Sequence, residues 1–212
     1  MPAFEGKEGM PFWQDLVTQN QLKSTHFYSD LLGWEIVDGT ARKEGLPVAG
    51  IVPAQMDMWV TSFIGSPDNV EKLGGKVLSS DDSVGLCQDP AGGLFGLKDP
   101  EERFFAAGEP GVPVWYEYSA PSMDAIDFYG ELFDWEIRKE DGYFIALEDG
   151  APFLGMFVGE HAQWFSYFGV GDVDAACKQV ENLGGGVEFG PENGTAGVHD
   201  ANGAQFFLAE VD

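Results

Sequence analysis

FYSDLLGWEI at residues 27–36 and FYGELFDWEI at residues 128–137 are two copies of one motif. Six of their ten positions are identical, and two more exchange Asp for Glu or Leu for Phe. Each copy follows a short apolar stretch that carries a tryptophan, PFWQDL at 11–16 and PVWYEY at 113–118. Repetition at a spacing of about 100 residues indicates a tandem duplication, so the chain should contain two related sites.

The length of the chain is consistent with two domains of ordinary size. Its 212 residues are 44% hydrophobic and include 17 Phe and 6 Trp, which is enough to build packed cores. The segment KDPEERFFAAGEPGV at 98–112 is rich in charge, Pro and Gly, a composition typical of a linker. The sequence therefore predicts one domain at 1–107 and a second at 108–212.

Hydrophobic periodicity predicts the same elements at the start of each half. Alternation at 11–18 predicts a strand, and the apolar spacing at 22–32 predicts a helix that Gly33 ends. The matching prediction in the second half is a strand at 113–119 and a helix at 122–133. Strands separated by Gly, Pro and Asp turns follow each helix.

Another strand and helix begin later in each half. In the second half, a strand at 164–170 leads to a helix at 173–183, with Asp172 at its N-cap position. The corresponding helix of the first half is shortened to little more than one turn. Each half then closes on strands joined by the turns DPAGG and DANGA. The sequence therefore predicts an α+β fold of four βαβββ modules, two in each half.

The net charge of −25 constrains the kind of partner. Residues 1–107 carry 8 basic and 16 acidic side chains, whereas residues 108–212 carry 3 and 20. Such a negative field repels nucleic acid and anionic membranes, so we expect neither as a partner. The field attracts a cationic small molecule or a basic protein, unless the charge serves solubility alone.

Three observations favour a reducing, cytoplasmic compartment. No apolar run approaches the roughly 20 residues that span a bilayer, and the N-terminal residues lack the pattern of a signal peptide. Cys87 and Cys177 are isolated thiols without CxxC spacing. We expect a cytoplasmic protein, monomeric or homodimeric, in which both cysteines are small core residues.

The order of these motifs resembles the vicinal oxygen chelate superfamily of glyoxalases, bleomycin resistance proteins and extradiol dioxygenases. The resemblance rests on FYxxLxGWE, on GDVDAA with LGG, and on D-x-x-G before a final strand, and it covers about 11–98 and 113–210. The openings WQDL and WYEY look like a duplicated actinobacterial branch labelled glyoxalase-like, hydroxylase or CFP32-like. The resemblance implies two tandem glyoxalase-like units whose curved mixed sheets each form a cup.

In that superfamily, metal ligands lie on the first and last strands of each module. Carried over by spacing, these positions fall on residues whose side chains are not ligands for Zn²⁺, Ni²⁺ or Fe²⁺: Trp13, Val60, Gly96, Trp115, Phe165 and Phe207. We therefore predict no metal site and no cofactor. The activity of a glyoxalase does not follow from the fold.

The cups should contain aromatic and acidic side chains instead. Residues two apart on a strand share a face, so Trp13 lies beside Asp15 and Trp115 beside Glu117. A ring beside a carboxylate suits a flat or cationic molecule, through stacking, cation–π attraction and charge. Further apolar wall of the second cup is predicted at Phe165, Tyr167 and Phe207. The alternative is that both tryptophans only fill the core.

These observations leave three functional hypotheses. The first is a binder of a small aromatic or cationic organic molecule that uses no metal, with the seven residues just named as its ligand-binding set. The second is a lyase, isomerase or dioxygenase of the superfamily, with Asp15 or Glu117 as general base and its other catalytic residues unknown. The third is a non-catalytic scaffold or regulatory protein that offers its acidic surface to a basic partner.

Overall fold

Two eight-stranded mixed sheets, one from each half of the repeat, make up most of the protein. The computed structural model describes residues 3–80, 84–101 and 103–212. The elements of the first half are β1 (Ala3–Glu5), β2 (Pro11–Thr18), α1 (Gln21–Leu32), β3 (Glu35–Val37), β4 (Thr40–Lys43), β5 (Leu46–Pro53), β6 (Met58–Ile64), β7 (Lys76–Ser80), β8 (Val84–Gln88) and β9 (Leu94–Lys98). The linker and the second half contain β10 (Phe104–Ala106), β11 (Pro113–Ala120), α2 (Met123–Phe133), β12 (Glu136–Glu140), β13 (Tyr143–Glu148), β14 (Ala151–Val158), β15 (Gln163–Val170), α3 (Val173–Asn182), β16 (Gly186–Glu192), β17 (Thr195–His199) and β18 (Gln205–Glu210).

The strand order decides which modules pair, a question that the repeat leaves open. The first sheet has the order β3-β4-β5-β2-β6-β9-β8-β7, and the second has the order β12-β13-β14-β11-β15-β18-β17-β16. Each sheet joins the two modules of one half through their first strands, which pair antiparallel as β2 with β6 and β11 with β15. The predicted α+β fold of four modules in two tandem units is confirmed.

The helices begin and end where local side-chain chemistry predicts. The Asn20 side chain accepts a hydrogen bond from Lys23 N at 3.1 Å and so satisfies a free N–H group in the first turn of α1. Gly33 ends this helix with φ 68°, a left-handed conformation that glycine adopts without strain. Asp172 caps α3 by accepting from Ala175 N at 2.8 Å. Within the described part of the chain, no helix is long and apolar enough to cross a membrane.

Two segments depart from a simple repeat. Where the second half has α3, the first half has two 3₁₀ turns, Pro67–Asn69 and Glu71–Leu73, as the shortened motif predicts. The predicted linker at 98–112 also contains β10, which pairs antiparallel with β1. The sequence does not signal this ribbon, because strands of three residues are too short for an alternation to be recognised.

Both hydrophobic cores are shared between the halves. Each combines aromatic side chains from the two halves: Phe27, Tyr28, Trp34, Phe168 and Phe206 in one core, and Phe63, Phe95, Tyr118, Tyr129 and Trp164 in the other. Burial of such rings is a large part of the free energy that favours folding. Each sheet therefore uses one face to pack against the other half, and its opposite face is left to form a cup.

The repeated motif supplies matched hydrogen bonds between the halves. Trp34 donates its indole N–H to Gly111 O at 2.6 Å. Trp135, at the same position of the second copy, donates to Gly9 O at 3.1 Å. These two glycines precede β11 and β2, so each motif tryptophan holds the start of the first strand of the other half. The motif that identifies the duplication is therefore a device that joins the two copies.

The aspartates of the D-x-x-G turns also reach across the halves. Asp89 of the first half accepts hydrogen bonds from the hydroxyls of Tyr118 at 2.5 Å and Tyr129 at 3.0 Å. Asp200 of the second half faces Tyr28, and this proximity contributes to the raised pKa of that hydroxyl, after burial. Oδ2 of Asp200 nevertheless has no partner with hydrogen-bond geometry in the described part of the chain. We call these two contacts the junctions; they are similar in position and differ in their hydrogen bonds.

Candidate functional site

The two cups are the sheet faces turned away from the shared cores. Along β2, Leu16 is buried in a core, whereas Trp13 and Asp15 alternate with it and are half-buried. The same alternation along β11 leaves Trp115 and Glu117 half-buried. We call the face around Trp13 and Asp15 the first cup, and the face around Trp115 and Glu117 the second cup. Neither tryptophan is sealed from solvent.

The first cup contains a cation supplied by the chain itself. Nζ of Lys98 lies 3.3 Å from Oδ2 of Asp15 and 5.1 Å from the centroid of the Trp13 ring. The indole N–H of Trp13 donates to Oδ1 of the same carboxylate at 2.8 Å. A glycine at position 50 makes room for this group, because a Cβ there would clash with Oδ1 of Asp15. The carboxylate of the first cup is therefore already paired with an ammonium group.

In the second cup, tyrosine hydroxyls and not a lysine contact the carboxylate. Glu117 accepts one hydrogen bond from the hydroxyl of Tyr143 and another from the hydroxyl of Tyr167. The indole N–H of Trp115 lies 3.4 Å from the Tyr143 oxygen. Gly155 lets Tyr143 lie across β14, since a Cβ at that position would clash with the phenol ring. The result is a half-buried carboxylate enclosed by three aromatic side chains.

Burial and charge keep the two phenols protonated. Desolvation raises the pKa of Tyr143 well above its ordinary value, and the neighbouring Glu117 carboxylate raises it further. The same two causes, in the same order, raise the pKa of Tyr167. Both hydroxyls therefore remain neutral hydrogen-bond donors to Glu117 at physiological pH.

An aromatic wall extends from Tyr167 across the second cup. The Phe207 ring stacks on the Tyr167 ring with centroids 4.6 Å apart and planes 16° apart. Phe165 meets Phe207 edge to face at 5.4 Å. Strand pairing places Phe165 opposite Glu117 and Tyr167 opposite Trp115, so these side chains share the cup face. Five of the seven predicted binding residues therefore surround the second cup, and the other two lie in the first.

Sequence reasoning missed Lys98 and Tyr143, which complete the two cups. The sequence places Lys98 at the start of the linker, although it lies two residues after Gly96 on β9 and so shares its face. That two-residue rule could have identified it. Tyr143 could not have been found in this way, because its contact with Glu117 depends on the pairing of β13, β14 and β11.

In each cup, the positions that correspond to the metal ligands lie opposite one another on neighbouring strands, and we call them the row of that cup. Their side chains do not fit the metal chemistry of the superfamily that the sequence resembles. Ser62 lies opposite Trp13, and Gly96 lies opposite Ser62, so the row of the first cup offers an indole, a hydroxyl and no third side chain. The row of the second cup is formed by Trp115, Tyr167 and Phe207. A bound transition metal needs three or four N, O or S donors at about 2.0–2.3 Å. Among the described residues, no group of three or more His, Cys, Asp or Glu side chains is arranged to hold one.

Sequence comparison finds relatives along most of the chain. DnrV, an anthracycline biosynthesis protein of Streptomyces peucetius, is 26% identical over 96% of this chain and 94% of its own length. CFP32 of Mycobacterium tuberculosis, a glyoxylase by provisional assignment, is also 26% identical, over 86% of this chain and 85% of its own length. Both relatives support the predicted resemblance to the duplicated actinobacterial branch.

Comparison with solved structures finds the same fold at lower identity. The Mn(II)-bound glyoxalase from Novosphingobium aromaticivorans is 16% identical, with a TM-score of 0.64, over 96% of this chain and 82% of its own. An extradiol ring-cleaving dioxygenase from B. fuscum is 15% identical, with a TM-score of 0.68, over 98% of this chain and 73% of its own. At these identities the likeness establishes the fold alone.

A family model spans nearly all of both sheets. The model described as Glyoxalase/Bleomycin resistance protein/Dioxygenase superfamily matches residues 13–206, from the first cup tryptophan to the last strand of the second sheet. The order of modules, the two cups and this match agree. The chain therefore belongs to the Glyoxalase/Bleomycin resistance protein/Dioxygenase superfamily.

Proposed function

We propose that this protein is a cytosolic binder of a small, flat, cationic aromatic molecule, which it holds in the second cup without a metal. The observation that carries the proposal is the position of Lys98 in the first cup. An ammonium group over an indole ring and against a carboxylate is the arrangement expected for a bound organic cation. The first cup is thus occupied by a cation that is covalently part of the chain.

The second cup has the same recognition groups without a resident cation. Gly96 and Phe207 occupy equivalent row positions, so the residue that corresponds to Lys98, two positions further along the strand, is Ala209. In the described part of the chain, no Lys, Arg or His nitrogen lies within 4.0 Å of Glu117. The charge of this carboxylate is therefore available to a cation from outside.

The aromatic wall selects for a flat ligand. Trp115, Tyr167 and Phe207 offer ring faces and edges beside Glu117, and a ring or cation stacked on such a surface contributes roughly 1–2 kcal/mol when partly desolvated. The surrounding half carries 3 basic and 20 acidic residues, which favours cations over anions. The name of one relative, an anthracycline biosynthesis protein, is consistent with this class, because anthracyclines contain a planar fused-ring system.

The enzymatic alternative, a lyase, isomerase or dioxygenase with a cup carboxylate as general base, has less support. Asp15 is paired with Lys98 and accepts from Trp13, and Glu117 accepts from two phenols. These contacts already occupy the carboxylate oxygens that a general base would offer to a substrate proton. The scaffold alternative rests on net charge alone and has no defined surface to support it.

The test is a calorimetric titration with aminoacridine, which is cationic at neutral pH, and with acridine, its neutral analogue. We expect one aminoacridine per chain, quenching of tryptophan fluorescence, and binding by acridine that is weaker by about tenfold. Glu117→Gln should abolish most of this preference. Asp15→Asn is the matched control and should leave it unchanged. Binding that is indifferent to ligand charge and to Glu117→Gln would overturn the proposal.

A further inference from the structure

A pair of cavities lies where parallel strands of each sheet separate. The ladder between β2 and β5 begins at Asp15 and Gly50, and the ladder between β11 and β14 begins at Glu117 and Gly155. Before these pairs the two strands diverge in both sheets. The gap in the second sheet holds a cavity of about 330 Å³, and the gap in the first sheet holds one of about 180 Å³.

The cavities are related by the repeat, as the cups are. The larger lies between Trp115 and Tyr116 on one strand and Pro152 and Phe153 on the other. The smaller lies between the corresponding residues of the first sheet, Trp13, Gln14, Pro47 and Val48. The two cavities therefore arise from one structural feature of the fold that occurs twice.

Phe105 of β10 lies between them. Its side chain lines both cavities, and it meets the ring of Phe12 edge to face at 6.1 Å. Pairing of β10 with β1 holds this part of the linker in place. Pro113 and Tyr116 also line both cavities, so these two residues and Phe105 form the boundary between them.

We propose that the larger cavity is a second binding site, for an uncharged and largely apolar molecule, and that Phe105 limits the length of the molecule it accepts. Among the described residues that line it, Glu5 is the one charged side chain, and Met10, Pro11, Val114 and Phe153 are apolar. Its volume of about 330 Å³ falls at the lower end of the roughly 300–1,000 Å³ of ligand pockets. An apolar cavity of roughly 150 Å³ already binds benzene.

This site is separate from the proposed cation site. Trp115 contributes to both, but Glu117, Tyr143 and Tyr167 do not line the cavity. The cavity therefore lacks Glu117, and its one carboxylate, Glu5, is exposed to solvent, where water screens its charge. The negative field of the protein disfavours anions. A neutral fused-ring or short alkyl compound is the chemical class that it fits.

The test is a fluorescence titration with N-phenylnaphthylamine, a neutral probe that brightens in apolar surroundings. We expect saturable binding by the intact protein, and binding about tenfold weaker or more in Ala107→Phe, because Ala107 lines only the larger cavity. Ala91→Phe, at an exposed turn, is the matched control and should bind normally. Absence of binding, or equal binding by both variants, would overturn the proposal.

Two further variants sharpen the assignment. Glu117→Gln should leave the affinity for the neutral probe unchanged, so the cation site and the cavity can fail independently. Phe105→Ala should join the two cavities and admit diphenylhexatriene, a neutral rod longer than N-phenylnaphthylamine that the unaltered protein excludes. Thermal unfolding checks that this variant is folded. Diphenylhexatriene binding by the unaltered protein equal to that of a folded Phe105→Ala variant would contradict the role of Phe105.

Discussion

In the first cup Asp15 is held by a lysine, and in the second cup Glu117 is held by two tyrosines. The two carboxylates start from equivalent positions beside equivalent tryptophans. The difference comes from the neighbouring strands, where Ser62 and Gly96 in the first cup correspond to larger aromatic residues in the second. Small side chains in that row leave space for the Lys98 side chain to enter.

This difference shows how the two copies of a duplicated fold can come to use the same position in different ways. The ion pair in the first cup satisfies its carboxylate within the chain. The second cup satisfies its carboxylate with neutral donors, which orient the group and leave its charge in place. Equal positions in a repeat therefore do not imply equal functions, because each side chain acts through neighbours that the repeat need not preserve.

The two junctions, at Asp89 and Asp200, are a second pair of equivalent positions with unequal neighbours. The largest effect is expected there. Asp89 accepts from Ala91 N at 2.8 Å and Gly93 N at 3.0 Å, in addition to the hydroxyls of Tyr118 and Tyr129. Asp89→Ala should cost about 3–5 kcal/mol of unfolding free energy, because it leaves several buried donors unpaired. Urea unfolding followed by circular dichroism measures this loss.

The same substitution at the second junction is the matched comparison. Asp200 accepts from Asn202 N at 2.8 Å and Ala204 N at 3.0 Å, and Oδ2 has no partner among the described residues. Asp200→Ala should therefore cost about 2–3 kcal/mol, less than Asp89→Ala. Equal losses would mean that the tyrosine hydroxyls contribute nothing to the first junction.

Removal of the internal cation should have a smaller effect on stability. Lys98→Met keeps an apolar stem over Trp13 but leaves the Asp15 carboxylate, 22% exposed, without its counter-charge. We expect a loss of about 1–2 kcal/mol, below the cost for a fully buried pair because water still reaches both groups. Lys76→Met, at an exposed strand position, should change stability by less than about 0.5 kcal/mol. Equal effects of the two substitutions would deny the ion pair a structural role.

Emptying the first cup should make it resemble the second. Lys98→Ala removes the internal ammonium group and leaves Trp13 and Asp15 for an external cation. We expect calorimetry to detect a second molecule of aminoacridine per chain, bound within about tenfold of the affinity of the second cup. The double variant Lys98→Ala with Asp15→Asn should lose this additional site and retain the first. Unchanged stoichiometry in Lys98→Ala would break the proposed equivalence.

The smallest expected effect is a dependence of stability on pH at the second junction. Burial, its largest cause, raises the pKa of Asp200 in the folded protein above the ordinary value of about 3.9. The favourable contribution of this carboxyl is therefore complete below that value and is lost as pH rises through the raised folded pKa. Relative to Asp200→Asn, the natural protein should therefore lose stability as the pH rises above about 4. Urea unfolding at several pH values measures the free energy of unfolding of both proteins. If the natural protein gained stability relative to Asp200→Asn as the pH rose, the prediction would be contradicted.

Much of the fold was predictable from local patterns. The strand at Pro11–Thr18, the helix ending at Gly33 and the Asp172 cap follow from alternation, a left-handed glycine and capping chemistry. Each of these signals lies within one turn or one strand. The ribbon of β1 with β10 was missed, because its two strands are short and about 100 residues apart.

The candidate site was predictable in part. Alternation placed Trp13, Asp15, Trp115 and Glu117 on one face of their strands, as the structure has them. Counting along the chain reached Val60 and Phe165 as row residues, whereas strand pairing puts Ser62 opposite Trp13 and Tyr167 opposite Trp115. In both halves the count lands two residues away, because register is set between strands and not along one of them.

By itself, the sequence determined the duplication, the α+β modules and the pairing of an aromatic ring with a carboxylate in each half, since these depend on residues close together in the chain. Only the tertiary structure decided that Lys98, 83 residues from Asp15, enters the first cup and that Tyr143 and Tyr167 enclose Glu117. It also decided that both cores are shared between halves. The physical reason is that these contacts depend on strand register and sheet packing, which bring together groups that no local periodicity relates.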